Sequence, residues 1–369
     1  MSHIPFRPTL AALSLAACLA FAACSTPAPK TSEPQPAAAA PSPTEEKLPA
    51  PYTQGKLVRL DPRFDKLIAP GTKIEKLTEG HKWTEGPVWK KPSRQDEAGF
   101  LLYSDIPNNA IYKWQEGKGD AQFLKPAGYT GTATFDGKEP GTNGLTYNKD
   151  GLLVSCEHGD RRIAQLAADG KTKTTLADKY NGKRFNSPND LVFKANGDLY
   201  FTDPPYGLPK GADDPQRELD FCGVYRLAKD GKVTLLTKEI TRPNGIAFSP
   251  DEKKLYVASS DPDKAIWMVY DVKADGTLGA GKVFKDVTAW VKEKRPGLPD
   301  GMKVDKAGNL WATGPGGVHV FAPDGTHLGS IETGVPTANC AFGDDGATLY
   351  ITANTALIRV KTGTKGLGF

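Results

Sequence analysis

Residues Ser187–Gly207 read SPNDLVFKANGDLYFTDPPYG. Two apolar runs, LVF and LYF, flank the polar turn ANGD, which is the pattern of a β-hairpin. The first strand is entered through an asparagine, Asn189, set behind a proline. A strand entrance has no need of a side-chain amide, so the rest of the chain has to explain this one.

The hairpin recurs. The chain reads NGLTYNKDGLLVS from Asn143, NGIAFSPDEKKLYVAS from Asn244, DGMKVDKAGNLWAT from Asp300 and NCAFGDDGATLYIT from Asn339. A broken copy starts at Glu85, with EGPVW, the polar insertion KKPSRQDEAG and then FLLYSD. Third strands such as AIYKW, GVYRL, AIWMVYD, GVHVF and ALIRV follow several copies. Each unit spans roughly 40–60 residues, the period of a propeller blade. Such a blade cannot bury both of its faces alone, and radial packing solves this while leaving short edges. The expected fold is all-β, a six-bladed β-propeller over residues 55–369 with a central metal site. KIEKLTEG, ahead of Glu85, is expected to complete the last blade and close the ring.

The entrance residues Glu85, Asn143, Asn189, Asn244, Asp300 and Asn339 are then expected to face one axial point. Asn and Asp also suit strand entrances through local backbone bonds. Six oxygen-bearing residues at six equivalent places, one of them the poor turn former Glu85, favour a shared role. Glu85 and Asp300 carry two negative charges, matching one divalent cation. Hard oxygen donors favour Ca²⁺, with Mg²⁺, Mn²⁺ and Zn²⁺ as alternatives.

The remaining composition narrows the function. The chain has 369 residues, 39 Gly, 30 Pro and a formal net charge of +4. Basic residues are scattered among acids, so the electrostatic footprint of a nucleic-acid binder is missing. No GxSxG elbow marks a serine hydrolase, and GPGG near Pro315 opens no helix that would make it a phosphate loop. Residues 1–23, with Arg7 ahead of LAALSLAACLAFAAC, read as a lipoprotein-type signal peptide. Cys24 is favoured over Cys18 as the lipidated residue, and a plain secretory signal is the alternative. Residues 24–54 are Pro- and Ala-rich and read as a tether. The protein is thus expected in the periplasm, held to the membrane only by its lipid. Cys156, Cys222 and Cys340 lack metal-ligand spacing, and their pairing stays open.

EGPVW, SPNDL with LYFTDPPYGL, RPNGIAFSPD, LPDGMKVD and SCEHGDRRI together resemble the gluconolactonase, or senescence marker protein/regucalcin-like, family. The resemblance covers nearly the whole chain after the tether. It implies a central divalent metal, hydrolysis of a sugar lactone such as gluconolactone, and metal ligation by Glu85, Asn244 and Asp300. Asn189 matches a position that contacts substrate or completes the metal shell. Asp300 is the first candidate for the base that activates water, and His158 the second. Asn143, Asp203, Arg184 and Tyr206, with Arg161, are candidate substrate contacts. Other esters or phosphotriesters are alternative substrates. A non-catalytic envelope propeller that binds a glycan or protein around a structural ion is the rival reading.

Overall fold

The structure, a computed structural model, describes residues 50–93 and 98–369. The signal segment, both candidate lipidation cysteines and most of the tether lie outside the described residues, as do residues 94–97 of the first-blade insertion.

Alternating apolar strands and Gly- or Asn-centred turns build six large antiparallel sheets. The first blade holds Thr84–Lys90, Phe100–Asp105, Ala110–Gln115 and Gly119–Leu124. The second holds Thr142–Tyr147, Leu153–Glu157, Arg162–Leu166 and Lys173–Ala177. In the third, Leu191–Phe193 and Leu199–Asp203 form the hairpin expected at Ser187–Gly207, with Leu191 opposite Phe201. Gly223–Leu227 and Val233–Thr237 complete it. The fourth blade starts at Pro243–Phe248 and the fifth at Met302–Val304. The sixth starts at Thr337–Gly343 and continues through Thr348–Ala353 and Ala356–Lys361.

The six first strands touch one another in a closed circuit, so they line the axis of a six-bladed β-propeller. Closure occurs as expected. Ile74–Glu79 pairs with the chain's last strand, Ala356–Lys361, and supplies the outer strand of the sixth blade. Two more N-terminal pieces reinforce the seam. Lys56–Arg59 adds a fifth strand to the fifth blade, and Ala50–Pro51 adds one to the sixth. Residues 50–54, read above as the end of the tether, therefore lie against the ring. A short ribbon, Lys179–Tyr180 with Lys183–Arg184, stands outside the blades.

The core sits between blades. Phe64 and Ile68 are fully buried with Trp311, Ile331 and Ile358, where the fifth and sixth blades meet. Each such large apolar side chain stabilises the fold by about 1.5–3 kcal/mol on burial. Cys156, Cys222 and Cys340 are buried and free. No disulfide joins them, and the inter-blade packing carries the fold without one.

Candidate active site

The strand entrances are irregular in a way that serves the axis. Register shifts lie between Glu85 and Val88, Thr142 and Leu145, Pro243 and Ile246, and Thr337 and Asn339. A bulge breaks the ladder and re-aims a side chain. Each of these shifts lies at or beside an entrance residue, Glu85, Asn143, Asn244 or Asn339. In the third and fifth blades Asn189 and Asp300 simply precede the strand.

The glycine after an entrance residue lets the next blade approach. Gly86 has φ +53°, and a Cβ there would fall 2.0 Å from the Asn143 carbonyl oxygen. A Cβ on Gly301 would fall 1.9 Å from Asn339 Cγ. Hydroxyls of the second strands tie adjacent blades together. Ser104 Oγ donates to the Asn143 carbonyl at 2.8 Å, and Thr202 Oγ1 to the Asn244 carbonyl at 2.8 Å.

Five entrance residues, Glu85, Asn143, Asn189, Asn244 and Asp300, line one axial cavity of about 240 Å³. Tyr206 joins them, as expected. Asn339 does not line it, which corrects the expectation of a six-membered ring. Its Oδ1 accepts from the Cys340 amide at 2.8 Å, and its Nδ2 donates to Glu85 Oε2 at 3.1 Å. It braces Glu85 rather than facing the axis.

The sequence reading missed several lining residues, among them Glu139, Arg242 and Ser260. Ser260 has a clear task. Asn244 Nδ2 donates to Ser260 Oγ at 2.8 Å, and Ser260 Oγ donates to the Pro299 carbonyl at 2.6 Å. This chain of bonds fixes the amide so that the Asn244 oxygen is left for the cavity.

A further carboxylate beside the cavity, Asp190, was also missed. It stands where four other blades place glycine, and that break in the repeat was its only signal. Burial raises its pKa, and Lys303 opposes the rise. Lys303 Nζ lies 3.4 Å from Asn339 Oδ1. Glu85, Glu139, Asp190 and Asp300 set against Arg242 and Lys303 leave two formal negative charges, so the match to one divalent cation survives the correction.

Burial also pushes up the pKa of Glu85, with Asp190 adding to the effect. Asp300 rises well above the carboxylate range through burial and the charges of Glu85, Asp190 and Glu139. Like charges crowded out of water call for a counter-charge. The amides make the same demand. Asn143 Oδ1, both polar atoms of Asn189 and Asp190 Oδ2 are buried without a hydrogen-bond partner among the described residues. An oxygen-coordinated cation fits this donor set. A His- or Cys-based zinc site does not, because no histidine or cysteine is among the described residues that line the cavity.

Four expected residues stand elsewhere. Asp203 is fully buried and accepts from the Asn186 and Ser187 amides, both at 2.8 Å. Burial pushes its pKa up to about 7. It anchors the turn that presents Asn189 and does not reach the cavity. Arg184 lines a separate cavity of about 560 Å³, together with Arg161, Tyr129 and Phe135. Its Nη2 donates to the Asp160 carbonyl at 3.0 Å. Arg161 Nε donates to the Phe185 and Asn186 carbonyls and its Nη1 to the Gln216 carbonyl. This second cavity is larger and is lined by Asp136, Asp160 and Asp178, but none of these carboxylates is buried and it has none of the unpaired amide oxygens of the axial one. His158 is 0% exposed and lies behind Glu139, whose Oε2 is 3.1 Å from its Nδ1.

Comparison with known proteins agrees with this geometry. The chain is 41% identical over 318 residues to a gluconolactonase of Zymomonas mobilis, covering 85% of this chain and 88% of that protein. It is 27% identical over 274 residues to a pentonolactonase of Haloferax volcanii, covering 73% and 80%. The solved structure of a gluconolactonase from Xanthomonas campestris superposes with a TM-score of 0.72 at 31% identity, over 85% of this chain and 97% of that one. The model of the SMP-30/Gluconolactonase/LRE-like region matches residues 83–355, which contain every axial residue named above. The chain belongs to the SMP-30/gluconolactonase/LRE-like family.

Proposed function

We propose that this protein hydrolyses sugar lactones, gluconolactone among them, in the axial cavity, with one divalent cation held by Glu85, Asn189, Asn244 and Asp300. The observation that carries the reading is the convergence of buried carboxylates and unpaired amide oxygens on one small cavity. The family and its gluconolactonase members supply the substrate class. Calcium is the ion we propose, because carboxylate and amide oxygens suit it. Bound there, a divalent cation supplies polarisation of a carbonyl and stabilises the negative charge that hydrolysis builds on its oxygen.

The protein's own groups do the rest. Asp300 accepts a proton from the attacking water. Ser260 holds the Asn244 amide in register. Asn143, Tyr206 and Arg242 line the same cavity and offer hydrogen bonds to the sugar hydroxyls. Burial raises the Tyr206 pKa, so its phenol stays protonated and able to donate.

The test is a panel of aldonolactones assayed on chelated protein reloaded with Ca²⁺, Mg²⁺, Mn²⁺ or Zn²⁺. Turnover that disappears on chelation and returns with Ca²⁺ is expected. Folded protein that turns over no lactone, aryl ester or phosphotriester with any of these ions makes the ion structural and the propeller a binding module.

The export reading is a proposal of the same kind. Residues 1–23 direct export and Cys24 takes the lipid, which places the enzyme in the periplasm on a membrane anchor. Cys24→Ser is expected to release the protein from the membrane fraction. An unlipidated mature terminus in the mass spectrum of the wild type sinks the proposal.

A further inference from the structure

Glu139 enters the axial cavity from the connection between the first and second blades, and His158 stands behind it. The Glu139 side chain is 32% exposed and the His158 side chain 0%, with Nδ1 and Oε2 3.1 Å apart. Neither imidazole nitrogen finds a hydrogen bond of good geometry among the described residues. The side chain is fully buried, and Gly207 packs so closely that a Cβ there would come within 2.6 Å of His158 Cβ. A buried polar group left unpaired costs about 1–3 kcal/mol. A residue kept only for packing would avoid that cost with an apolar side chain, so the imidazole calls for another explanation. What it touches is a carboxylate that faces the substrate.

We propose that Glu139 and His158 hold one proton between them, and that Glu139 delivers it to the ring oxygen of the lactone as that oxygen leaves. The inference rests on the lactonase reading above and adds the acid that this reaction needs. The ring oxygen of a sugar lactone departs as a basic alkoxide, which a positioned acid accelerates by roughly 10²–10⁴-fold.

The step balances as follows. Water adds to the carbonyl carbon, forming a new C–O bond, and its proton passes to Asp300. The C–O bond to the ring oxygen breaks, and its electron pair stays with that oxygen, which takes the proton from Glu139. The product is an open-chain hydroxy acid. Asp300 then loses its proton to solvent, and the Glu139–His158 pair regains one from solvent. Glu139 is the catalytic residue of the pair, and His158 is a positioning residue that acts through it.

The experiment compares leaving groups. Glucono-1,5-lactone expels an alkoxide, whereas an aryl lactone such as dihydrocoumarin expels a phenoxide that leaves without a proton. Both are assayed on the calcium-loaded enzyme with Glu139→Gln and His158→Gln. Glu139→Gln is expected to lower kcat on the sugar lactone by roughly 10²-fold or more and on the aryl lactone by less than about threefold. His158→Gln is expected to show the same dependence at smaller amplitude, with KM within about threefold of wild type. Equal losses on both substrates, or none on either, overturn the proposal. If His158→Gln does not fold, Glu139→Gln, on an accessible side chain, decides alone. Wild type inert on both substrates overturns the lactonase reading itself, which separates the two failures.

Discussion

Asn339 Nδ2 donates to Glu85 Oε2 across 3.1 Å, joining the last blade to the first at the axis. The two residues are 254 positions apart in sequence. The bond aligns a carboxylate whose pKa burial raises, and it opposes part of that rise. Asn339→Ala removes it without touching the cavity wall. The expected result is a Ca²⁺ affinity weakened by roughly 10–100-fold, the usual effect of losing an outer-shell partner. Calorimetric titration of chelated protein checks it. An unchanged affinity would show that Glu85 needs no brace.

Glu85→Gln removes one of the two net negative charges and leaves the shape. It is expected to weaken Ca²⁺ binding more than Asn143→Ala, which removes a neutral oxygen. The same titration ranks the two. The reverse order would take Glu85 out of the cation shell.

Asp300→Asn separates ligation from proton transfer. The amide still offers an oxygen but is no base. At saturating Ca²⁺ the variant is expected to fold and to lose turnover of glucono-1,5-lactone by roughly 10²–10⁴-fold. Near-normal turnover would mean that another group takes the proton from water.

Gly301→Ala tests the inter-blade fit. The added methyl would sit 1.9 Å from Asn339 Cγ, so one of the two must move. Overpacking of this kind costs about 1–3 kcal/mol. A lower urea midpoint and weaker Ca²⁺ binding are expected together, because displacing Asn339 also frees Glu85. A stability loss with unchanged Ca²⁺ affinity would show that the displacement spares Glu85.

Much of this site was written in the repeat. Glu85, Asn143, Asn189, Asn244 and Asp300 occupy the same place in successive hairpins, so one register assignment located five cavity residues at once. The glycine that follows four of them was legible for the same reason. Asp190 was legible only as a departure from that glycine. Asn339 was misread because its position gave the place but not the direction of its amide, which the Cys340 amide decides. Asp203 and Arg184 were misread because a strand end and a loop near the axis look alike in sequence. Glu139 lies in an inter-blade loop with no repeat register, so only the folded chain brings it to the cavity and to His158.

The fifth blade contains an acid-sensitive pair. His319 is 1% exposed, with Nε2 3.1 Å from the Pro315 carbonyl and Nδ1 2.9 Å from Ser330 Oγ. The carbonyl requires Nε2 to be a donor, and burial keeps the ring neutral, which leaves Nδ1 to accept from Ser330 Oγ. Ser330 Oγ is also 3.0 Å from His327 Nε2. Burial, with the neighbouring His327, lowers the His319 pKa to about 3, and burial with Lys285 lowers that of His327 to about 4. Both folded values lie below the ordinary histidine value of about 6.5. The unfolded chain therefore binds more protons than the folded one between these limits. Stability is full above about pH 6.5 and falls as the pH drops toward the folded values. Between pH 6.5 and 5, His319 alone is expected to cost about 2 kcal/mol of unfolding free energy. The axial carboxylates, whose folded pKa values are raised, act in the opposite direction, so the comparison is made between variants rather than on wild type alone. His319→Gln keeps a donor for Pro315 and an acceptor for Ser330 but cannot titrate. Urea unfolding at pH 6.5 and 5 is expected to show a smaller loss in His319→Gln than in wild type, by about that amount. Equal losses in the two proteins would mean that His319 does not set the acid limit of the fold.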